Sequence, residues 1–480
     1  MFMKFISDFY FMIDSLYYKI SSVFSKNNLR RMSYLGAFLL SLQFILNNMS
    51  FLWLFTEGIG ILNKSVGFIW EFTFSIFFIL MFLILFKEKN EKVEIKLKNF
   101  NFWIVLPLTI FSIFWTLSSF TAGFGRLKLT LIIIFLINPV IFRLSNLNEF
   151  KNIVNRFIYS NMILAFVYYL LSIIWMPYAG IRYHALSFNP AAVAVLSLNF
   201  IICALYLSYI SDKFLVKLYS NFIVGISIAM ILLTETRTII VVLAVLLFFY
   251  YTYIIMVKGK KQILKQIINI LYVLFITLMF VLFMNKVNSI DTYRSKSDFK
   301  NNFYYKAITI LNKKKVPLFY KADKEEEKKT NVFKLFDRFS IEDEKKEKED
   351  VNGILSGRLK IWKDYIKRLG VLGQRELDRD YKRQNNIPVH AHNIYLQLSY
   401  DAGIIAGLSI LILSIYLSIK TVIIYFSRND DKLGLLLGLT TISYVLRGLV
   451  EASYSPLYYN IGFILLIAIM PFMVKLNKDK

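Results

Sequence analysis

Apolar runs of about 20 residues recur along this chain, and that single pattern removes most folds from consideration. They lie near 33–55, 67–86, 102–119, 126–143, 157–177, 189–209, 217–234, 236–256, 266–285, 402–425, 432–450 and 458–475. Each matches the length needed to cross the ~30 Å hydrocarbon core of a bilayer as an α-helix. In lipid every backbone N–H and C=O has to be satisfied internally, and runs of this length do so as helices rather than barrel strands. Hydrophobic residues make up 57% of the 480 residues and mean hydropathy is +0.53, values that exclude a soluble globular enzyme. The expected fold is all-α: a polytopic membrane helix bundle of about 12 transmembrane helices.

Short-loop charge sets the expected orientation, because loops near span ends retain Lys and Arg on the cytoplasmic side. One alternating set carries most of this charge. It comprises Lys19, Lys26, Arg30 and Arg31, then Lys87 to Lys98, Arg143 to Arg156, Lys213 to Lys217, Lys258 to Lys265, Arg428 to Lys432, and the tail Lys475 to Lys480. The other set holds chiefly Lys64, Arg126, Arg182 and Arg237. Both termini are therefore expected in the cytoplasm, and residues 286–401 form one large extracytoplasmic loop. Four regions follow: 1–32, an amphipathic interfacial segment; 33–285, the first nine spans; 286–401, the loop; and 402–480, the last three spans with a cytoplasmic tail. The net charge of +25 reads as topology signal plus attraction to anionic lipid, not as a nucleic-acid surface.

Within the loop, Lys321 to Lys329 and Glu342 to Asp350 form a Lys/Glu-rich run with nothing to bury in a core. Beyond it, Leu355, Leu359, Trp362, Ile366 and Leu369 recur at spacings of four and three, which predicts an amphipathic helix on the outer interface or capping the bundle. Gly370 and Gly373 end it. Residues Met1 to Ser25 are aromatic and amphipathic and lack a small-residue cleavage site, so an interfacial helix is expected there rather than a signal peptide. The lone Cys203 falls inside a span, where it serves packing.

The residues able to do chemistry gather on the sparsely charged side. His390, Ala391, His392 and Asn393 stand at the end of the loop, just before the tenth span, and hold two of the chain's three histidines. Ionisable groups at a membrane boundary are functional candidates, and histidine is the side chain best poised for proton transfer near neutral pH. On the same side lie Thr234-Glu235-Thr236-Arg237 in a tight turn, Arg182, His184 and Asn189-Pro190 before the sixth span, Arg358 on the amphipathic helix, and Arg447 and Glu451 at the end of the eleventh span. A single arginine at such a boundary often only anchors a helix in the headgroups. Several beside a histidine pair fit an anionic ligand, since guanidinium forks match phosphate oxygens. A diphosphate at the outer leaflet is the implied ligand. The His390-x-His392 spacing also admits a zinc site. The arginines around it repel a cation, however, and no carboxylate or cysteine has ligand spacing nearby, so neither metal nor cofactor is expected. Gly403 and Gly407 are expected to permit close helix packing.

Together these residues resemble the O-antigen ligase and polymerase family of bacterial envelope polysaccharide synthesis. Leu233-Thr234-Glu235-Thr236-Arg237 resembles the family's Thr-x-Ser-Arg turn, with Thr236 in place of serine. Ser356-Gly357-Arg358, followed by Trp362 and Gly370-Val371-Leu372-Gly373, resembles the arginine helix of its large loop. His392, ten intervening residues and Gly403 match its His-to-Gly spacing, and Arg182 through Asn189-Pro190 resembles the opening of its sixth span. The Lys/Glu run is not a family feature. The resemblance implies a GT-C-like fold and an inverting, metal-independent glycosyltransferase in the bacterial inner membrane. Its donor would be a glycan on undecaprenyl diphosphate and its acceptor lipid A-core or another glycan. It further implies His392 as the base, Arg237 and Arg358, with Arg182, as diphosphate ligands, and His390, Asn393, His184, Arg447 and Glu451 in supporting or acceptor-binding roles. Ligase and repeat-unit polymerase remain open, as does a protein-directed oligosaccharyltransferase. A lipid-linked oligosaccharide flippase or other transporter is the alternative of a different class, although transporters place their charged residues near the midplane.

Overall fold

The computed structural model describes residues 2–47, 60–89, 100–122, 126–144, 147–175, 183, 185–187, 190–294, 358–374, 390–450 and 460–473. Arg182, His184, Asn189 and Glu451 lie outside these residues, as do the Lys/Glu run, Leu355 to Gly357 and the carboxy-terminal tail. Among the described residues the chain is helical, with no strand.

Among the described residues eight helices are long and apolar enough to cross a membrane: Ile69–Phe86, Phe102–Thr121, Leu147–Ile173, Pro190–Ile210, Phe214–Leu233, Arg237–Lys258, Lys260–Lys286 and Ile404–Ser427. The four other expected spans also fall on helices, but shorter or more polar ones. The first overlaps α2 (Lys26–Asn47), which follows α1 (Phe2–Ser22). The second of these is the broken stretch after α3 (Gly60–Phe82) and α4 (Phe102–Leu117). There α5 (Leu127–Ile132) runs through a π-turn at Ile133–Ile137 into α6 (Asn138–Phe142). Pro139 accounts for the break, since a proline has no N–H for the helical ladder.

The remaining elements are α7 (Leu147–Trp175), α8 (Pro190–Ile210), α9 (Phe214–Leu233), α10 (Arg237–Lys258), α11 (Ile263–Arg294), α12 (Arg358–Ile366), α13 (Ile394–Ala402), α14 (Ile404–Ser427), α15 (Lys432–Gly448) and α16 (Asn460–Met473). The other two expected spans overlap α15 and α16. Helix α8 is apolar all round and buried almost throughout, Cys203 included, so it is the centre of the bundle. Helix α11 is mostly exposed, with Leu264, Leu271, Phe275 and Leu282 outward, as suits a lipid-facing edge.

One end of the bundle collects the basic loops. Arg143 forks onto Asp14, Nε to Oδ1 at 2.6 Å and Nη2 to Oδ2 at 2.7 Å, and its Nη1 donates to the Glu88 carbonyl at 2.7 Å. Arg156 donates to Glu149 Oε1 at 3.1 Å and to Ser33 Oγ at 2.9 Å. Of the arginines in the topology signal, Arg143 thus ties the end of α6 to α1, and Arg156 ties α7 to α2. At the same end Tyr209 donates to Asp430 Oδ1 at 2.7 Å, Tyr253 donates to the Asn429 carbonyl at 2.9 Å, and Lys258 lies over the Tyr209 ring.

Those last contacts make α10 and α15 antiparallel neighbours, and Phe249 packs against Gly438 midway. From that crossing Arg237 is about 18 Å along α10 and Arg447 about 14 Å along α15, at 1.5 Å per residue. Both therefore reach the other end of the bundle.

Candidate functional site

At that end the chain approaches α13 with an unfavourable backbone. His392 has φ +48°, a left-handed conformation that disfavours any residue bearing a Cβ. The next residue compensates. Asn393 is extended and caps α13, its side chain accepting from Leu396 N at 3.0 Å, an arrangement that stabilises a helix by about 1 kcal/mol. Its Nδ2 also donates to the Leu449 carbonyl at 3.1 Å, tying the histidine segment to the end of α15. Ala391 N donates to Gln397 Oε1 at 3.0 Å, and Gln397 Nε2 donates to Asp401 Oδ2 at 3.0 Å. His390 is exposed, Ala391 buried, and His392 and Asn393 half-buried. The histidine segment is thus pinned on both flanks.

Arg358 is the first residue of α12, and α12 caps the bundle by packing on α13. Tyr365 meets Tyr400 edge-on with ring centroids 5.2 Å apart, Ala391 lies in the same small core, and Ile361, Leu369 and Leu396 close it. The packed face is therefore Ile361, Tyr365 and Leu369. Of the expected stripe, Leu369 packs here and Leu359 and Trp362 are half-buried, but Ile366 is exposed, because the aromatic partner on α13 selects Tyr365 instead.

Two glycines explain how α12 is held. Gln374 N donates to the Tyr400 carbonyl at 2.8 Å and Ile404 N to the Gly370 carbonyl at 2.9 Å. A Cβ on Gly373 would sit 1.8 Å from the Asp401 carbonyl oxygen, and one on Gly403 would sit 2.1 Å from the Val371 oxygen. Gly403 also has φ +101°, which only glycine adopts freely. Gly403 thus separates α13 from α14 and admits the loop after α12. Gly407 does serve helix packing, against Ser399.

Arg126 was expected only as a sparse outer charge. Its Nη1 donates to Ser118 Oγ at 2.9 Å, its Nη2 to the Gln374 carbonyl at 3.3 Å, and its guanidinium lies 5.3 Å from the Trp115 ring centroid. Thr121 donates to the Gly373 carbonyl. Thr121 and Arg126 therefore both hold the glycine segment. Gln397, Asp401 and Arg126 left no sequence signal beyond polarity at a span boundary.

The Arg237 turn forms a second group at this end. Thr234 donates to Thr236 Oγ1 at 3.0 Å, Glu235 has φ +51°, and Arg237 is the exposed first residue of α10. Tyr183 N donates to the Leu233 carbonyl at 3.0 Å, so the segment that contains Tyr183 crosses this turn. Ala185, two residues on, has φ +48°. Arg447 is buried at 2% exposure on α15, one turn from Tyr444. Of the four left-handed non-glycine residues described, three (Ala185, Glu235 and His392) lie at this end, and such strain of about 1–3 kcal/mol each gathers where function over-determines the backbone. Among the described residues no three His, Cys, Asp or Glu side chains are grouped to hold a metal.

The segment joining these parts, from within α9 through the histidine segment into α14, can be compared with known families. Residues 222–411 match the O-antigen ligase family model. The matched segment holds Arg237, Arg358, His390, His392, Asn393 and Gly403, and ends before α15. No curated protein and no solved structure matches the chain. Among the described residues eight helices are long and apolar enough to cross a membrane, which indicates a multi-pass membrane protein.

Proposed function

We propose that this protein is an inverting glycosyltransferase of the extracytoplasmic membrane face. It would move a glycan from undecaprenyl diphosphate to an acceptor hydroxyl, on lipid A-core for a ligase or on another lipid-linked glycan for a polymerase. The observation that carries the proposal is the gathering, at one end of the bundle, of Arg237, Arg358 and the pinned His392 within one ligase-family segment.

Arg237 occupies the first position of α10, where backbone N–H groups and the helix dipole favour an anion. Arg358 stands on α12, and each guanidinium offers a bidentate partner. In the proposed step the acceptor oxygen attacks the anomeric carbon while His392 takes its proton. The bond from that carbon to the diphosphate oxygen breaks, and undecaprenyl diphosphate leaves on the arginines. Positive charge fixed where negative charge develops lowers the barrier without a metal. Arg182, His184 and Glu451 complete the proposed set, with His390, Asn393 and Arg447 beside the acceptor path.

Arg237→Lys and Arg358→Lys test the clamp. Lysine keeps the charge and loses the fork. Loss of a charge-assisted contact of about 1.5–3 kcal/mol lowers transfer roughly ten- to hundredfold, read as glycan formed by membranes with unchanged protein level. Unchanged output would remove the clamp.

Orientation has its own test. A reporter fused after Lys265 is expected to read cytoplasmic and one near residue 330 extracytoplasmic. A cytoplasmic signal at 330 would put the site on the wrong side for an outward-presented donor. The product pattern separates the two acceptor classes: a ladder of lengthening glycans for a polymerase, a single transfer to lipid A-core for a ligase.

A further inference from the structure

The outward face of α1 has no part in the proposed reaction, yet it is built to a pattern. Phe5, Met12, Leu16, Ile20 and Val23 are exposed and recur at spacings of seven, four, four and three. The opposite face carries Tyr10, Ile13, Asp14 and Ser21, all buried, and half-buried Tyr17. Besides the Asp14–Arg143 fork, Ser21 Oγ donates to the Phe86 carbonyl at 2.7 Å, and Asn138 Nδ2 donates to Tyr10 Oη at 2.7 Å.

One further bond fixes the depth of α1. Tyr17 Oη donates to the Phe135 carbonyl at 2.8 Å. Pro139 has no N–H, so the carbonyl four residues before it lacks an α-helical donor. In hydrocarbon such a group needs another partner, and Tyr17 supplies one. Burial pushes the Tyr17 phenol up to about 12, so it keeps its proton under physiological conditions. Phe135 lies in the π-turn, about two helical turns before Phe142 ends α6, which seats α1 below the headgroups, at the depth of an interfacial helix. Exposed cations surround the carboxy-terminal end of α1: Lys19, Lys26, Arg30 and Arg31. Lys87 fastens the turn between α1 and α2 by donating to the Ser22 and Phe24 carbonyls at 3.3 and 2.7 Å.

We infer that α1 is embedded in the leaflet at the basic end of the bundle, and that its apolar stripe and basic carboxy-terminal end form a binding surface for anionic lipid. The stripe takes acyl chains, the cations take headgroups, and Tyr17 locks the helix to the span broken by Pro139.

The test uses the full-length protein, one per nanodisc, in phosphatidylcholine with or without phosphatidylglycerol. The only native cysteine, Cys203, is fully buried, so a cysteine introduced at Leu16 or Lys26 can be labelled selectively. A polarity-sensitive dye on Leu16→Cys is expected to be quenched several-fold more than one on Lys26→Cys by lipid spin-labelled just below the headgroup. Equal or absent quenching overturns the embedding. Quenching lost when a disc holds two proteins assigns the stripe to a second copy and overturns it as well. Phosphatidylglycerol is expected to raise the melting temperature of the native protein by a few degrees and to have no effect on the Lys19→Gln/Arg30→Gln/Arg31→Gln variant. An equal rise in both overturns the headgroup contact. Tyr17→Phe is expected to lower the melting temperature by several degrees alone and far less in a Pro139→Ala background, where a backbone N–H returns to serve Phe135. Fully additive losses overturn the lock.

Discussion

Replacing His392 with alanine is expected to lower glycan transfer by about 10²–10⁴, the contribution of a positioned general base. In cells the undecaprenyl-linked donor should accumulate while protein level stays constant. The substitution also relieves little of the left-handed backbone at φ +48°, because alanine is disfavoured there too, so Asn393 keeps its cap and its bond to Leu449. The effect therefore belongs to the imidazole rather than to the loop. His390, which is exposed, should matter less. Activity of purified enzyme should survive a strong chelator. Loss in chelator restored by zinc, or equal and complete loss on replacing His184, His390 and His392, would move the histidines to metal ligation. A normal rate for His392→Ala would remove it as the base and make Glu451 the next residue to replace.

Gly373→Ala is expected to reduce transfer about as severely, without touching any group assigned to chemistry. The added methyl would overlap the Asp401 carbonyl oxygen, a backbone atom at 1.8 Å that no rotamer change can move. The loop would have to lift from the break between α13 and α14, losing the Gln374–Tyr400 and Ile404–Gly370 bonds and loosening α12 with Arg358 at its start. A displacement of about 1 Å in a positioning element can lower a rate roughly 10²-fold. The bulk of the bundle lies elsewhere, so the protein should still insert and run as a monodisperse species. Gly403→Ala should behave alike, with the extra strain of φ +101°. Full activity in both variants would show that α12 does not need this docking.

The sequence made the spans legible because lipid imposes one length and one polarity on every crossing helix, so α8, α9, α10 and α14 fall within a few residues of their expected places. The Arg237 turn was legible because turn residues act locally, and the amphipathic helix carrying Arg358 because its apolar residues repeat. Helix α13 was not: residues up to 401 were expected in the loop, whereas Ile394–Ala402 is helical. The docking of Val371 and Gly373 onto Asp401 and Gly403 was not, since contacts between two backbones far apart in sequence leave no period. Arg126 was hidden in the same way, its partners Ser118, Trp115 and Gln374 being tertiary. On α12 only Ile366 was misjudged, because Tyr365 counts as amphipathic until Tyr400 is opposite it.

The stretch Leu127–Phe142 has a consequence for the bilayer itself. At 1.5 Å per residue it rises about 24 Å, short of a hydrocarbon core of about 30 Å. Arg126 anchors one end on Gln374 and Arg143 anchors the other on Asp14. A stretch shorter than the hydrocarbon core is accommodated by local thinning of the bilayer or by long flanking side chains reaching to the interface, and arginines stand at both of its ends. The hydrophobic mismatch is thereby concentrated on the flank where Arg126 meets the glycine segment that seats α12.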